Sequence, residues 1–455
     1  MSTIDVVLVA LTLGYAVTAV LAPRVAMFAL PVAAPLLGLG WAAQLLLEHF
    51  YWQFLPLYLL VPLAATVAIT LGVRRRTGAG PIVARAAVAV SAVLALPALA
   101  AVPVPRLPEP TGPYAVGSQI FRWVDEQRAE PANPGERRNV VVQAWYPAAG
   151  TSGRQYVYLD GDGELPRNVA GVPGVLMRGY GAVTTHAHSD LAVHDERERW
   201  PVVLFSPGYS APRAFYTALV ADLASRGFVV LAVDHPYESA VTTLADHRVI
   251  TAEPRLPDGE AELAALLAEH QRTRAADLRF VLDRLDRGVG LEALTGRLAT
   301  EHIAAVGHSL GGGSAVAALA DDPRLDAAVN IDGAPNGELP QRVIDRPVLL
   351  LESDRTDHSP RYLDGNRTLL ANLTAPGHRY TLAGTDHNAF TDATYFLAGP
   401  ARSLLRFPGG PRDPADTLRT TNTLVEAFLR GPLGGEPVDL AATAAALENV
   451  SGGPA

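Results

Sequence analysis

A serine flanked by glycines is the first candidate for chemistry. Residues 307–311 read Gly-His-Ser-Leu-Gly, a G-x-S-x-G pattern with Ser309 at its centre. The apolar run 303–306 before it predicts a strand, and the residues from Leu310 onward predict a helix. Side chains at the two glycine positions would collide in so sharp a strand-to-helix turn, which raises the serine above the sheet. The pattern predicts that Ser309 is a nucleophile rather than a helix-capping serine.

A serine hydroxyl is a poor nucleophile until a base takes its proton, so a histidine must lie at the same edge. For this motif the chain order is serine, acid, histidine. His378 opens the last predicted strand and would lie at its wrong end, and His358 follows a strand after which the acid is often found. His387 follows the last strand and reaches the right edge. We predict His387 as the base, against the alternative of a solvated loop histidine.

Two carboxylates are candidates for the acid that orients the histidine. Asp332 follows the predicted strand 327–331, and Asp354 follows the predicted strand 348–351. Either could hold the imidazole in the correct tautomer and stabilise its protonated form. The residues alone leave both open.

Two backbone N–H groups are needed to bind the oxyanion of an acyl-transfer intermediate. Leu310, the residue after the nucleophile, supplies the first. The second is expected from the loop 205–210, where Gly208 permits a tight turn and the Tyr209 N–H can point inward. Each such donor typically contributes about 3 kcal/mol to transition-state stabilisation.

The elements that must position these residues alternate between strands and helices. Predicted strands are 140–145, 202–205, 228–233, 303–306, 327–331, 348–351 and 379–382; predicted helices are 211–226, 260–287, 310–320, 361–372 and 414–430. Near-continuous apolar strands joined by helices indicate a doubly wound α/β fold, with a mostly parallel sheet covered on both faces. Its chemistry is expected at the carboxyl ends of the strands.

The N-terminal part has a different composition. Only seven of the 83 charged residues lie in the first 105, and four apolar stretches occupy 6–23, 25–47, 50–73 and 86–105. Each is long enough to cross a bilayer as a helix. We therefore predict a transmembrane anchor of about four helices at 1–105, a linker and lead-in strand at 106–138, and a catalytic domain at 139–455.

The arginines predict how this anchor is oriented, because cationic loops stay on the cytoplasmic side. Arg24 lies between the first two stretches, and Arg74, Arg75, Arg76 and Arg85 lie between the last two. With four spans, both termini are then outside, and the catalytic domain is extracytoplasmic in a multi-pass protein of the cell membrane. With three spans, if the stretch 86–105 does not insert, the catalytic domain is cytoplasmic instead. The stretches contain no ionisable residue, which indicates an anchor rather than a transporter.

Several function classes are excluded or disfavoured. Beyond residue 105 there are 32 basic and 44 acidic residues, so no basic face for nucleic acid is expected. Cysteine is absent, which excludes cysteine nucleophiles and thiolate metal sites. His186 and His188 form an H-x-H pair, but no strand pattern surrounds them. We predict no metal and no cofactor, and interpret 158–200 as an irregular lid over the acyl pocket.

Five segments together resemble the platelet-activating-factor acetylhydrolase family of α/β-hydrolases: 205–216, 222–235, 307–312, 330–333 and 387–392. The resemblance covers about residues 139–430. It implies Ser309 as nucleophile, Asp332 as acid, His387 as base, and Tyr209 with Leu310 as oxyanion donors. It also implies a phospholipid-type ester with a short or oxidised acyl chain. Pro207 departs from the family, whose members often have histidine there.

The segment Ser-Pro-Gly-Tyr-Ser at 206–210 is equally similar to cutinase-like polyester hydrolases. In those enzymes the acid follows the later strand, which would make Asp354 the acid. The sequence thus predicts a membrane-anchored, metal-independent serine esterase that works through an acyl-enzyme on lipid or related esters. One alternative is a cutinase-like lipase or polyester esterase. Another is a membrane sensor with a hydrolase fold and no turnover, which an intact set of Ser, Asp and His disfavours.

Overall fold

The computed structural model describes residues 3–47, 54–73, 79–101, 105–159, 166–169, 172–177, 180, 183–189, 191–252, 256–288, 291, 294–356, 358–396 and 409–455. The chain divides into two compact units. The first comprises Met1–Arg106, Leu176–Val183 and Tyr395–Phe407. The second comprises Leu107–Val175, Thr184–Thr394 and Pro408–Ala455.

The described residues of the first unit form four α-helices: α1 Thr3–Leu21, α2 Pro23–Leu47, α3 Leu55–Val73 and α4 Ala79–Ala101. They are apolar on all faces. Trp41 packs against Phe54 and Tyr58 inside the unit, and its indole N–H donates to the Thr12 hydroxyl at 3.0 Å. Large apolar side chains also cover the outside; Phe28 is 78% exposed and Leu46 is 81% exposed. A helix apolar all round is typical of a buried core or a membrane span.

These four helices lie where the sequence predicts four membrane spans. Among the described residues, Pro23–Leu46 of α2 is long and apolar enough to cross a bilayer, while the apolar parts of the other three helices are shorter: Asp5–Leu21, Leu55–Leu71 and Gly80–Val93. The predicted ends at residue 50 and at 102–104 fall outside the described residues. One candidate span is therefore found, and the four-span anchor stays a prediction.

The second unit is built on a ten-stranded sheet in the order β14-β13-β12-β11-β10-β6-β7-β2-β1-β5. Its strands are β1 Ala115–Glu130, β2 Asn133–Ala148, β5 Ala187–His188, β6 Trp200–Ser206, β7 Val229–Asp234, β10 Leu298–His308, β11 Ala327–Ile331, β12 Val348–Ser353, β13 Gly377–Leu382 and β14 Val450–Pro454. Two separate pairs are β3 Asn168–Val169 with β4 Val172–Pro173, and β8 Val241–Thr243 with β9 Val249–Thr251. The run from β7 through β6 to β13 is parallel, and β2 and β14 join it antiparallel.

Among the described residues, six helices accompany the sheet: α5 Thr217–Ser225, α6 Glu260–Arg287, α7 Leu310–Asp321, α8 Pro360–Ala371, α9 Pro414–Arg430 and α10 Leu440–Ala445. Aliphatic side chains of α6, such as Leu278 and Leu282, belong to one buried cluster with Leu204 of β6 and Leu231 of β7. Burial of such residues is the main favourable contribution to folding. The shared cluster holds α6 against β6 and β7 and thereby fixes the strand ends from which the loops emerge.

The sheet begins earlier in the chain than the predicted domain boundary. The region 106–138, where the sequence predicts a linker and a lead-in strand, contains β1 at Ala115–Glu130 and the start of β2 at Asn133. The preceding proline-rich stretch is tied down, because the Thr111 N–H and hydroxyl both donate to the Asp222 carboxylate of α5, at 2.6 and 2.8 Å. Of the predicted lid at 158–200, the described residues contain the short strands β3, β4 and β5 and a single turn at Gly174–Met177.

Candidate active site

Ser309 occupies a strained turn between β10 and α7. Its backbone angles are φ 56° and ψ −127°, in the left-handed half of conformational space that non-glycine residues rarely adopt. The strain is held by the Ser309 N–H, which donates to the Ile331 carbonyl at 2.8 Å. A Cβ on Gly307 would lie 2.2 Å from the Gly311 oxygen, and a Cβ on Gly311 would lie 2.1 Å from the Ser206 oxygen. Both flanking positions therefore require glycine.

His387 lies next to the serine. Its Nε2 is 2.9 Å from the Ser309 hydroxyl oxygen, and its Nδ1 is 2.7 Å from Oδ2 of Asp332. His387 starts a helical turn directly after β13, and the Asp386 carboxylate accepts the Asn388 N–H at 3.0 Å and so caps that turn. The arrangement lets Nδ1–H donate to the carboxylate while Nε2 accepts the serine proton.

Asp332 is buried at the end of β11. Oδ1 accepts the Ser353 N–H at 2.8 Å, Oδ2 accepts the Ser353 hydroxyl at 2.9 Å, and His358 Nε2 lies 3.1 Å from Oδ1. Burial by itself would raise the pKa of Asp332. The hydrogen bonds from His358 and His387 outweigh it and hold the pKa well below its usual range. The carboxylate is therefore ionised at neutral pH.

Asp354, the alternative acid, has other partners. Its side chain is exposed, and Oδ1 accepts the backbone N–H groups of Gly384 and Thr385 at 2.8 and 3.1 Å. Asp354 thus holds the loop that leads from β13 to His387. Of the two candidate carboxylates, the structure brings Asp332 to His387.

The loop after β6 lies beside the serine. A Cβ added to Gly208 would be 3.4 Å from the Ser309 Cβ. Within the described part of the chain, the backbone N–H groups of Tyr209 and Leu310 donate no hydrogen bond to another described residue. Both predicted oxyanion donors are therefore available to a ligand.

His308 connects this loop to the histidine loop, a role that the sequence analysis missed. Its Nε2 lies 2.8 Å from the His387 carbonyl oxygen and its Nδ1 lies 2.7 Å from the Tyr216 hydroxyl, which accepts the Gly208 N–H at 2.9 Å. Because a carbonyl only accepts, Nε2 carries the proton and Nδ1 accepts from Tyr216. Burial, followed by the charge on nearby His387, lowers the pKa of His308 to about 3. His308 is therefore neutral in the fold.

A second Ser-His-Asp arrangement lies beneath the oxyanion loop. Ser206 Oγ is 2.9 Å from His235 Nε2, and His235 Nδ1 is 2.7 Å from Asp277 Oδ2. All three side chains are fully buried, and the Asp277 carboxylate also binds two guanidinium nitrogens of Arg138. Burial, followed by the charge of Arg274, lowers the pKa of His235 to about 4. Since no substrate reaches these atoms, the set anchors the end of β6 at the base of the loop.

Arg274 fixes the same loop from α6. Its Nη1 donates to the Pro207 carbonyl oxygen at 2.6 Å, and its Nε donates to the Glu238 carboxylate at 2.8 Å. The side chains of Arg274 and Glu238 are both buried, so each compensates the other's charge. The backbone that carries Gly208 and Tyr209 is thus held in place by charged groups that do not themselves line the site.

His186 and His188, the histidines of the H-x-H pair, lie at different positions in the fold. His186 Nε2 contacts the Leu107 carbonyl oxygen at 3.0 Å, and His188 lies on β5. Among the described residues, no group of three or more His, Asp or Glu side chains is placed to hold a metal ion. The absence of a metal requirement stays a prediction.

A strained serine at the end of a central parallel strand, with a histidine and a carboxylate delivered by later loops, defines an α/β-hydrolase. The ferulic acid esterase of Streptomyces cinnamoneus has the same fold: its structure aligns at a TM-score of 0.63 and 30% sequence identity, covering 76% of this chain and 99% of the esterase. The chain belongs to the family of platelet-activating factor acetylhydrolase, isoform II, whose model matches residues 100–272 and 275–440. The family resemblance predicted from the sequence is confirmed.

Curated relatives include the platelet-activating factor acetylhydrolase of Bos taurus, 27% identical over 279 residues, which are 56% of this chain and 62% of the bovine protein. Cutinase 1 of Thermobifida cellulosilytica is 29% identical over 134 residues, which are 30% of this chain and 40% of the cutinase. The chain thus spans less than two thirds of the length of either relative.

Proposed function

We propose that this protein is a carboxylic ester hydrolase in which Ser309 is the nucleophile, His387 the base and Asp332 the acid. The observation that carries the proposal is the continuous contact from the Ser309 hydroxyl through His387 to Asp332, at 2.9 and 2.7 Å. Membership of an acetylhydrolase family and the esterase fold of a structural neighbour support the same class.

The proposed reaction follows from this arrangement. His387 Nε2 takes the proton of Ser309 as Oγ attacks the ester carbonyl, and Asp332 stabilises the imidazolium. The N–H groups of Leu310 and Tyr209 donate to the oxyanion of the tetrahedral intermediate. The intermediate expels the alcohol, which takes the proton from His387, and leaves an acyl group on Ser309. Water activated by His387 then releases the carboxylic acid and restores the hydroxyl.

For the substrate, we propose a short or oxidised acyl chain on a phospholipid or a similar ester. Support comes from the family and from relatives that are named platelet-activating factor acetylhydrolases. A cutinase-like esterase for polyesters or acylglycerols is the second candidate, and it is favoured by the similarity to cutinase 1. The cutinase-like choice of Asp354 as acid has less support, because that carboxylate binds the backbone of Gly384 and Thr385.

We also propose that residues 1–105 anchor the chain in the cell membrane through several spans, with the catalytic domain at 139–455 outside the cytoplasm. Support comes from the apolar helix α2 and from the large aliphatic side chains exposed on all four N-terminal helices. In water such a surface would drive association, whereas lipid tails solvate it. A bilayer anchor would keep the site close to lipid substrates.

The test uses the full-length chain in detergent and a series of p-nitrophenyl esters beside a short-chain phospholipid. Ser309→Ala is expected to lower kcat by about five orders of magnitude or more and to abolish labelling by a fluorophosphonate probe, because the nucleophile is lost. Ser314→Ala, a buried serine of α7, is the matched control and should be labelled normally. Turnover by Ser309→Ala would contradict the proposal, and absence of labelling in a folded wild type would favour a sensor.

The chain-length series separates the two substrate classes. An acetylhydrolase-like pocket predicts that kcat/KM falls steeply as the acyl chain grows beyond a few carbons, with clear turnover of the short-chain phospholipid. A flat profile up to long chains, with no preference for the phospholipid, would favour the lipase or polyesterase alternative. Each CH₂ group that a pocket accommodates is worth about 0.8 kcal/mol, so a few carbons suffice to distinguish the profiles.

A further inference from the structure

The catalytic carboxylate of the proposed site is shared by two histidines. His387 Nδ1 contacts Oδ2 of Asp332 at 2.7 Å, and His358 Nε2 contacts Oδ1 at 3.1 Å. The two rings come from different segments, since His387 follows β13 and His358 precedes α8. The second histidine is largely buried, with 13% of its side chain exposed. Nothing in the mechanism above uses it.

The orientation of His358 is fixed by packing. Its ring stacks on Tyr362 of α8, with ring centroids 3.9 Å apart and planes 7° from parallel. The Tyr362 hydroxyl donates to Oε1 of Glu352 at 3.0 Å, and Arg379 Nε donates to Oε2 at 2.6 Å. Residues of β12, β13 and α8 thus hold the imidazole against Asp332.

We propose that His358 is a positioning residue that donates a hydrogen bond to Asp332. The negative charge of this carboxylate is then shared between His358 and His387, and this sharing sets the acid limit of activity. The inference rests on the assignment of Ser309, His387 and Asp332 in the proposed function. A carboxylate that accepts a hydrogen bond from one imidazole stabilises positive charge on the other less strongly. Removal of the His358 hydrogen bond therefore leaves Asp332 to stabilise a protonated His387 more strongly.

The other ionisable groups around His358 and His387 are paired with each other or neutral, so Asp332 is the charged partner of both rings. Glu352 of β12 and Arg379 of β13 form an ion pair with each other. Burial, followed by the charges of Asp332 and Glu352, raises the pKa of Tyr362 well above its usual range, so its hydroxyl stays neutral. His308, which faces His387 from the other side, is neutral as well. A change of charge at His358 is therefore felt mainly through Asp332.

The test is the pH profile of kcat/KM for a short p-nitrophenyl ester with the full-length chain. His358→Phe keeps a ring to stack on Tyr362 and removes the hydrogen bond, so we expect the midpoint of the acid limb to rise by roughly half to one pH unit. His358→Gln retains an N–H donor and should remain near the wild-type midpoint. A merely structural role would lower the melting temperature or kcat without moving the acid limb.

Two further variants make each outcome decisive. His302→Ala removes a half-exposed histidine near the start of β10 and should leave the profile unchanged. If the larger ring of His358→Phe prevents folding, His358→Ala takes its place and should show the same expected rise of the acid limb. An acid limb that stays at the wild-type midpoint in the folded His358 variants, while Ser309→Ala is inactive, overturns this inference alone. Turnover by Ser309→Ala overturns the proposed function on which it rests.

Discussion

Asp332 and Asp354 follow neighbouring strands, yet their carboxylates contact different groups: His387 in one case and the backbone of Gly384 and Thr385 in the other. Asp332→Asn is expected to lower kcat by about four orders of magnitude, because an amide no longer fixes the tautomer of His387 or stabilises its charge. Asp354→Asn keeps an oxygen acceptor for the loop and should change kcat by less than about tenfold.

Ester hydrolysis at pH 8 measures this pair of substitutions, and circular dichroism checks that both variants fold. The two changes are matched, since each replaces one carboxylate oxygen by an amide. Inactivation by Asp354→Asn together with an active Asp332→Asn variant would reverse the assignment and favour the cutinase-like arrangement.

A buried neutral histidine makes stability depend on pH, and His308 allows the sign to be worked out. Its pKa is about 3 in the fold against 6.5 for an ordinary histidine. Above pH 6.5 neither state binds the proton, so the fold has its full stability. Below pH 6.5 the unfolded chain binds a proton that the folded chain does not, and stability falls by about 1.4 kcal/mol per pH unit until about pH 3.

His308→Gln removes this titration and is expected to reduce the loss of melting temperature between pH 7 and pH 5. Thermal unfolding of the full-length chain at both values measures the difference. His302→Gln, at a half-exposed histidine, should lose as much as the wild type. An equal loss in His308→Gln and the wild type would show that His308 is not neutral in the fold.

Some residues of the candidate site could be predicted from the sequence and others could not. Ser309 and His387 could be predicted because a local motif and the chain order of the last strand restrict them. The choice between Asp332 and Asp354 could not be made from the residues alone, because both follow strands that end at one edge and only the direction of the side chain separates them. His308 gave no signal, since its partner Tyr216 lies 92 positions away in the chain.

At the scale of elements, the central strands could be predicted from the sequence because they are buried on both faces. β6, β7 and β10–β12 include near-continuous apolar runs, and α6 and α9 begin and end at the predicted residues. In its middle, β1 alternates buried and partly buried side chains and carries several charges, so no apolar run marks its bounds within the predicted linker and lead-in strand. β14 contains two glycines and a proline, and pairs only along the edge of the sheet.

The loop after β6 carries the N–H of Tyr209, the proposed second oxyanion donor. Gly208→Ala would place a Cβ 2.9 Å from the Tyr216 hydroxyl and 3.2 Å from His308 Nδ1, so the loop must shift by a few tenths of an ångström. We expect kcat to fall by roughly ten- to a hundredfold with little change in KM, because the oxyanion exists only after attack. Gly135→Ala, in the open β1–β2 hairpin, is the control. Equal kcat in both variants would contradict a role for this loop.

At the scale of the whole molecule, the division into two units follows the distribution of charge along the chain. The charge-poor first 105 residues, with seven charges, end at the same place in the chain as the N-terminal segment of the first unit, which ends at Arg106. The number of spans could not be read from composition, because an apolar run that is long enough in sequence does not fix how much of it is helical. α2 satisfies the length requirement, and the described apolar parts of α1, α3 and α4 are shorter.

The predicted orientation can be tested with single cysteines, because the natural chain has none. Asp364→Cys introduces an exposed thiol on α8, and Arg24→Cys introduces one between the first two apolar stretches. With both termini outside, a membrane-impermeant maleimide should label Asp364→Cys on intact cells and Arg24→Cys only after permeabilisation. Hydrolysis of an ester added to the cells provides a check that each variant is folded.

The opposite labelling pattern would place Arg24 outside and the second unit in the cytoplasm. The number of spans between them would again be odd. Labelling of both thiols on intact cells would mean an even number of crossings between residues 24 and 364, so that at least one of the last three apolar stretches does not cross the bilayer. The orientation decides which ester pool the proposed site would encounter: with Asp364 labelled outside, Ser309 would face the exterior, where exogenous esters arrive without having to cross the membrane.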